Sequence, residues 1–130
     1  MTGIYVASRK RNANMLRWRR DCGVPIISSW IDAVDTGRIP KPTQSEIWRN
    51  AFEEIGRCTA FVFYDGGDFA LVELGIALGM GVPTLVVVEY GDYLSTLPCV
   101  VFCTTLDAAL AHAASHEGMT LTSTTGVRRG

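Results

Sequence analysis

An α/β sandwich built on a parallel sheet is the fold class this sequence predicts, and three observations predict it. Apolar runs of strand length recur at Gly3–Ser8, Pro25–Trp30, Thr59–Tyr64, Pro83–Glu89 and Cys99–Cys103. Segments with helical start and stop signals lie between them. The runs are close to continuous instead of alternating, as expected of strands covered on both faces.

Each element has its own local reason. Gly3–Ser8 (GIYVAS) carries β-branched and aromatic residues. Asn12 is placed to cap a helix running to about Cys22, with Gly23 as its stop. Pro25–Trp30 (PIISSW) reads as a second strand, and 31–42 as a loop marked by Gly37, Pro40 and Pro42. Thr43-Gln-Ser-Glu46 spells a capping box, in which threonine and glutamate satisfy each other's exposed N–H groups. The helix behind it places Ile47, Ala51, Phe52 and Ile55 on one face. Thr59–Tyr64 reads as a central strand, Asp65–Asp68 as a tight loop, and 69–80 as a helix closed by Gly81. Two further strands follow, then an alanine-rich helix from about Thr105 to Ser115. This alternation predicts a flavodoxin- or Rossmann-like three-layer sandwich, its five strands in the order 2-1-3-4-5. Residues 1–115 form the expected domain and 116–130 a flexible polar tail.

Composition narrows the function classes. Twelve basic and thirteen acidic residues give a net charge of −1, which argues against a partner that is a nucleic-acid polymer. The longest weakly charged run, 69–88, contains Glu73, three glycines and Pro83, so no membrane span is expected. The opening MTGIYVASRKR has too short an apolar stretch for a secretory signal, and a cytoplasmic location is expected. Cys22, Cys58, Cys99 and Cys103 form no CxxC pair and read as small buried residues, with no metal site and no cofactor. His112 and His116 are assigned no role.

In such a sheet the ligand crevice lies at the carboxyl ends of the first and third strands. Ser8–Arg11 and Asp65–Glu73 should therefore line one pocket. Glu73 is the only charged residue between Asp68 and Glu89. A lone carboxylate among apolar neighbours either faces a polar cleft or sits on the solvent side of its helix, and both readings stand. Asp65 and Asp68 flank Gly66-Gly67, whose bare backbone lets a ligand approach closely; an aspartate-rich turn is the alternative. Arg9 and Arg11 are placed to meet an anion, and Ser8 to add a hydroxyl. Arg17, Arg19 and Arg20 read as a solvated helix face. Trp30 and Trp48 either stack on a base or fill the core. Paired carboxylates near a crevice suit glycosidic chemistry, which needs one to attack the anomeric carbon and a second acid to protonate the leaving group.

The segment FVFYDGGDFALVELGIALGMGVPTLVVV resembles the central motif of the nucleoside 2-deoxyribosyltransferase superfamily, which includes 2'-deoxynucleoside 5'-monophosphate N-glycosidases. The matching parts are Phe61–Tyr64, Asp65–Asp68, Glu73-Leu74-Gly75 and Gly81-Val82-Pro83, with IYVAS resembling the family's opening strand. The resemblance covers about residues 3–110. It implies Glu73 as the nucleophile, Asp68 or Asp65 as the acid, and Tyr5, Ser8, Arg9, Arg11, Trp30, Gly66 and Gly67 as contacts to a nucleoside or nucleotide. It also implies a homodimer or larger assembly. The family's aspartate on the preceding helix has no counterpart, Asn50 being nearest. Two alternatives are a phosphoribohydrolase or NAD-hydrolase-like enzyme, and a non-catalytic nucleotide-binding module.

Overall fold

A computed structural model describes residues 3–33 and 42–115. The elements are β1 (Ile4–Ala7), α1 (Ala13–Asp21), α2 (Trp30–Ala33), α3 (Gln44–Arg57), β2 (Ala60–Tyr64), α4 (Asp68–Met80), β3 (Thr84–Val87), β4 (Val100–Cys103) and α5 (Leu106–Ser115). The strands form a parallel sheet in the order β1-β2-β3-β4. Strand side chains alternate between faces, and here the alternation sorts the core. Ile4, Val6, Ala60, Val62, Leu85 and Val87 pack with Leu16 of α1 and Leu110 of α5. Tyr5, Ala7, Phe61, Phe63 and Val86 pack with Ile55 of α3 and Leu74 of α4. The α/β layering is therefore as the sequence predicts.

The expected five-stranded sheet is corrected to four strands among the described residues. Pro25–Trp30 meets β1 through a single parallel bridge, Ile4 to Ile26. Ile4 N–H donates to Pro25 O at 2.8 Å, and Ile27 N–H to Ile4 O at 2.9 Å. The next rung is replaced by side chains. Val6 N–H donates to Ser28 Oγ at 2.7 Å, while Val6 O accepts from the Trp30 indole at 2.7 Å. Ser29 N–H turns away to Glu54 Oε1 at 3.0 Å. Every backbone group on that edge of Val6 is satisfied, so pairing has no reason to continue.

Local signals fare well elsewhere. The capping box on α3 forms, with Thr43 N–H donating to Glu46 Oε1 at 2.9 Å and Glu46 N–H to Thr43 Oγ1 at 3.1 Å. Gly81 ends α4 at φ 74°, the left-handed value glycine adopts without penalty. Asn12 makes no cap; a short 3-10 turn over Lys10–Asn12 precedes α1, and the Asn12 amide bonds Ser8 and Asp65 instead. Trp30, expected to end a strand, and 31–33, expected to begin a loop, together form one turn of helix. Phe52 lies off the buried face of α3, exposed. Arg19 and Arg20, expected to be solvated, pair with Asp107 and Asp32 and tie α1 to α5 and α2. Cys22 and Cys99 are exposed instead of buried, and Cys58 and Cys103 are half-buried. Among the described residues no helix is long and apolar enough to cross a membrane. The expected tail at 116–130 and the middle of the 31–42 loop lie outside the described residues.

Candidate functional site

Two groups of predicted residues come together, and they are distinct. The first is a polar knot at the strand tips. Asp65 follows β2 in the left-handed region at φ 49°, a conformation aspartate tolerates better than most residues. Its carboxylate accepts from Arg11 Nη2 at 3.0 Å and from Asn12 Nδ2 at 2.9 Å, with Arg9 Nε at 3.6 Å. Asn12 Nδ2 also donates to Ser8 Oγ at 2.7 Å. Arg9 N–H donates to Asp65 O at 3.2 Å, joining the two loops. Partial burial pushes the Asp65 carboxyl up, but the Asn12 amide and the two guanidinium groups outweigh it and hold the group below the usual carboxylate range. Asp65 thus sits as an ionised acceptor.

Gly66 and Gly67 have different reasons to be glycine. A Cβ on Gly66 would lie 2.4 Å from Ala70 Cβ and 2.7 Å from a Phe63 ring carbon, so packing demands its absence. A Cβ on Gly67 would meet Arg9 Nη1 at 2.9 Å, the end of a flexible side chain. Gly66→Ala is expected to destabilise the fold by about 1–3 kcal/mol through overpacking, and Gly67→Ala by clearly less, as read by urea denaturation. Equal costs would contradict this division.

The second group is buried in the core. Glu73 lies on the face of α4 that carries Ala70, Leu74 and Ala77 against the sheet, and it is only 8% exposed. The Tyr5 hydroxyl donates to Glu73 Oε2 at 2.7 Å. The pair forms because period-two alternation turns Tyr5 towards α3 and α4, where its ring stacks on Phe61 at 5.7 Å between centroids. Burial raises the Glu73 carboxyl to about 7, the Tyr5 hydrogen bond opposing the rise and the nearby Glu54 charge adding to it. Burial and the same two carboxylates push the Tyr5 phenol above its ordinary range.

Beside Tyr5 lies a small cleft, lined by Tyr5, Trp30, Ile47, Asn50, Ala51 and Glu54 among others. Its volume is about 20 Å³, enough for one water molecule and no more. Glu73 is not among the residues that line it, so this cleft is not the sugar-sized hollow expected at that carboxylate. Trp30 lines this cleft with its indole N–H committed to Val6 O. Trp48 instead packs against Phe69 at 4.7 Å, between α3 and α4. Asp68 is the exposed first residue of α4, after Gly67 at the N-cap position. It lies five positions before Glu73, so the two carboxylates leave the helix about 140° apart.

Glu54, which the expected site omits, is 7% exposed and lines the cleft. The signal was present: residues 47, 51, 54 and 55 follow the i, i+4, i+7, i+8 stripe, so a carboxylate occupies an apolar position of α3. The reasoning that singled out Glu73 applies equally to it. No three histidine, cysteine or acidic residues among those described are grouped to hold a metal ion. No protein-family model matches the chain, and no curated protein matches it. The functional reading therefore rests on these side chains.

Proposed function

We propose that this chain cleaves or exchanges the N-glycosidic bond of 2'-deoxynucleosides or their 5'-monophosphates, with Glu73 as nucleophile, in the manner of the nucleoside 2-deoxyribosyltransferase superfamily it resembles. The observation that carries the reading is the buried Glu73 carboxylate gripped by the Tyr5 hydroxyl. A carboxylate held in the core by one hydrogen bond is costly as a structural element and well suited to attack. Glu73 attacks C1' as the base departs with the electron pair of the C1'–N bond. Water or a second base then displaces Glu73 from C1'. Glu73 is buried and does not line the cleft, so binding requires side chains around Tyr5 to move and open a path to the carboxylate.

The polar knot suits a 5'-phosphate, which would compete with Asp65 for Arg9 and Arg11. Base release from a panel of deoxy- and ribonucleosides and their 5'-monophosphates, followed by chromatography, tests both statements. Monophosphates are expected to be preferred, and Arg9→Ala with Arg11→Ala to raise KM for them about tenfold or more while sparing free nucleosides. No base release from any member of the panel would refute the enzymatic reading. Binding without turnover would favour a nucleotide-binding module.

The expected self-association finds support on α4, which is apolar on nearly every side. Phe69, Val72 and Met80 are exposed, beside Phe52 of α3, and Gly75 and Gly79 leave open space between them. Exposed apolar faces of this kind favour a second copy of the chain. Sedimentation equilibrium is expected to return a dimer or larger species and Val72→Lys a monomer; a monomeric parent chain would refute it.

A further inference from the structure

The polar knot at the strand tips already holds an anion, and that anion belongs to the chain itself. The Asp65 carboxylate accepts from the Arg11 fork, with Nε 3.2 Å from Oδ2 and Nη2 3.2 and 3.0 Å from the two oxygens. Asn12 Nδ2 donates to the same Oδ2 at 2.9 Å. A carboxylate and a phosphate offer a guanidinium the same pair of oxygens, so the fork suits either. Arg9 is engaged less fully. Its Nε stands 3.6 Å from Asp65 Oδ1, and among the described residues nothing accepts from its Nη1 or Nη2. That guanidinium lies against Gly67, where a Cβ would meet Nη1 at 2.9 Å.

Three observations bear on how firmly the internal anion is held. The Arg9 and Arg11 side chains are 50% and 71% exposed, and exposed ion pairs are weak. The two loops that meet here, 8–12 and 65–68, carry Arg9, Lys10 and Arg11 against Asp65 and Asp68, which leaves positive charge in excess. Asp65 also takes up a left-handed backbone at φ 49°, which glycine adopts without cost. A turn alone would be served by glycine there, so the carboxylate answers to the arginines.

We propose that Asp65 stands in for an external anion, holding Arg9 and Arg11 in place in the unliganded chain and yielding them to the dianionic phosphate of a phosphomonoester. This rests on the phosphate reading of the knot and not on glycosidic cleavage. Without Asp65 the two guanidinium groups repel each other; with it they stay together at the strand tips. A phosphate dianion brings twice the charge of the carboxylate that it displaces, and can also engage Arg9 Nη1 and Nη2, which Asp65 leaves without an acceptor. A neutral nucleoside offers the fork nothing comparable. Asp65 is thereby a specificity-determining residue, setting a threshold that favours phosphorylated ligands.

Calorimetric titration of the full chain with orthophosphate at about pH 8, where it is dianionic, tests this by comparing the parent with Asp65→Asn and Asp65→Gly. Asparagine keeps an oxygen for the Asn12 amide and tolerates the left-handed backbone, and glycine suits that backbone better still. Both variants are expected to bind orthophosphate about tenfold more tightly than the parent. Adding Arg9→Ala and Arg11→Ala should abolish the gain. A 2'-deoxynucleoside 5'-monophosphate should show the same gain and the unphosphorylated nucleoside none. Unchanged or weaker phosphate binding in the variants would make Asp65 a structural clasp between two loops and overturn the proposal. Failure of both variants to fold, or no binding of orthophosphate by any of the chains, would overturn it as well. So would an equal gain for the unphosphorylated nucleoside. A chain that releases no base from any substrate yet shows the gain would refute the glycosidic reading and leave this one standing.

Discussion

Glu73→Gln is expected to suppress base release by about four orders of magnitude or more while stabilising the folded chain at alkaline pH. The two effects have one origin. In the folded state burial raises this carboxyl from 4.5 to about 7, so between those values the native chain holds a proton that the unfolded chain releases. Glu73 thus contributes stability below about pH 4.5 that is lost as pH rises through about 7. Glutamine carries no such dependence and can still accept from Tyr5. The variant should therefore match the parent near pH 4 and exceed it by about 3 kcal/mol above pH 8, at 1.36 kcal/mol per pKa unit. Paired urea denaturations at the two pH values measure the difference directly. A gap that does not widen with pH would mean that Glu73 is not held as a desolvated carboxyl. On the proposed glycosidic reading, base release by the parent chain should rise with pH through about 7 as Glu73 ionises.

Tyr5→Phe is the second substitution with a large expected effect. It preserves the ring and its stack on Phe61 but leaves a buried carboxylate with no hydrogen bond. The expected cost is about 1.5–3 kcal/mol, as for hydrogen bonds to charged groups. The Tyr5 bond is also what opposes the burial of Glu73. Its removal lets the Glu73 carboxyl rise further, so the acid limb of the pH–rate profile should move to higher pH. Loss of activity with an unmoved limb would make Tyr5 a packing residue only. Removing the Glu54 charge would move Glu73 the other way, because a hydrogen-bond donor and a negative charge act on this carboxyl with opposite sign.

Much of the fold was legible in the chain because its signals are local. The capping box at Thr43 and Glu46, the glycine closing α4 and the buried runs of β1 and β2 each depend on residues a few positions apart. Pro25–Trp30 misled for the opposite reason. Its composition suits a strand, but Ser28 and Trp30 on the segment itself, with Glu54 from a helix far along the chain, take the bonds a strand would make. The same distinction runs through the site. Glu73 stood out because an isolated charge in an apolar helix is anomalous by itself. Glu54 sat among polar neighbours, Glu53 and Arg57 included, and was passed over although it occupied a position on the apolar stripe.

By itself the sequence determined the alternation of helices and strands, the helix ends, and the presence of a carboxylate in α4 that its surroundings do not explain. These follow from backbone propensity and apolar period, which need no knowledge of what lies across the sheet. Only the tertiary structure decided that Tyr5 holds Glu73, that Asp65 is bound by two arginines, and that Glu54 lines a cleft with Tyr5. Those pairings join residues up to 68 positions apart. They arise from strand register and helix packing, which choose the side chains that meet.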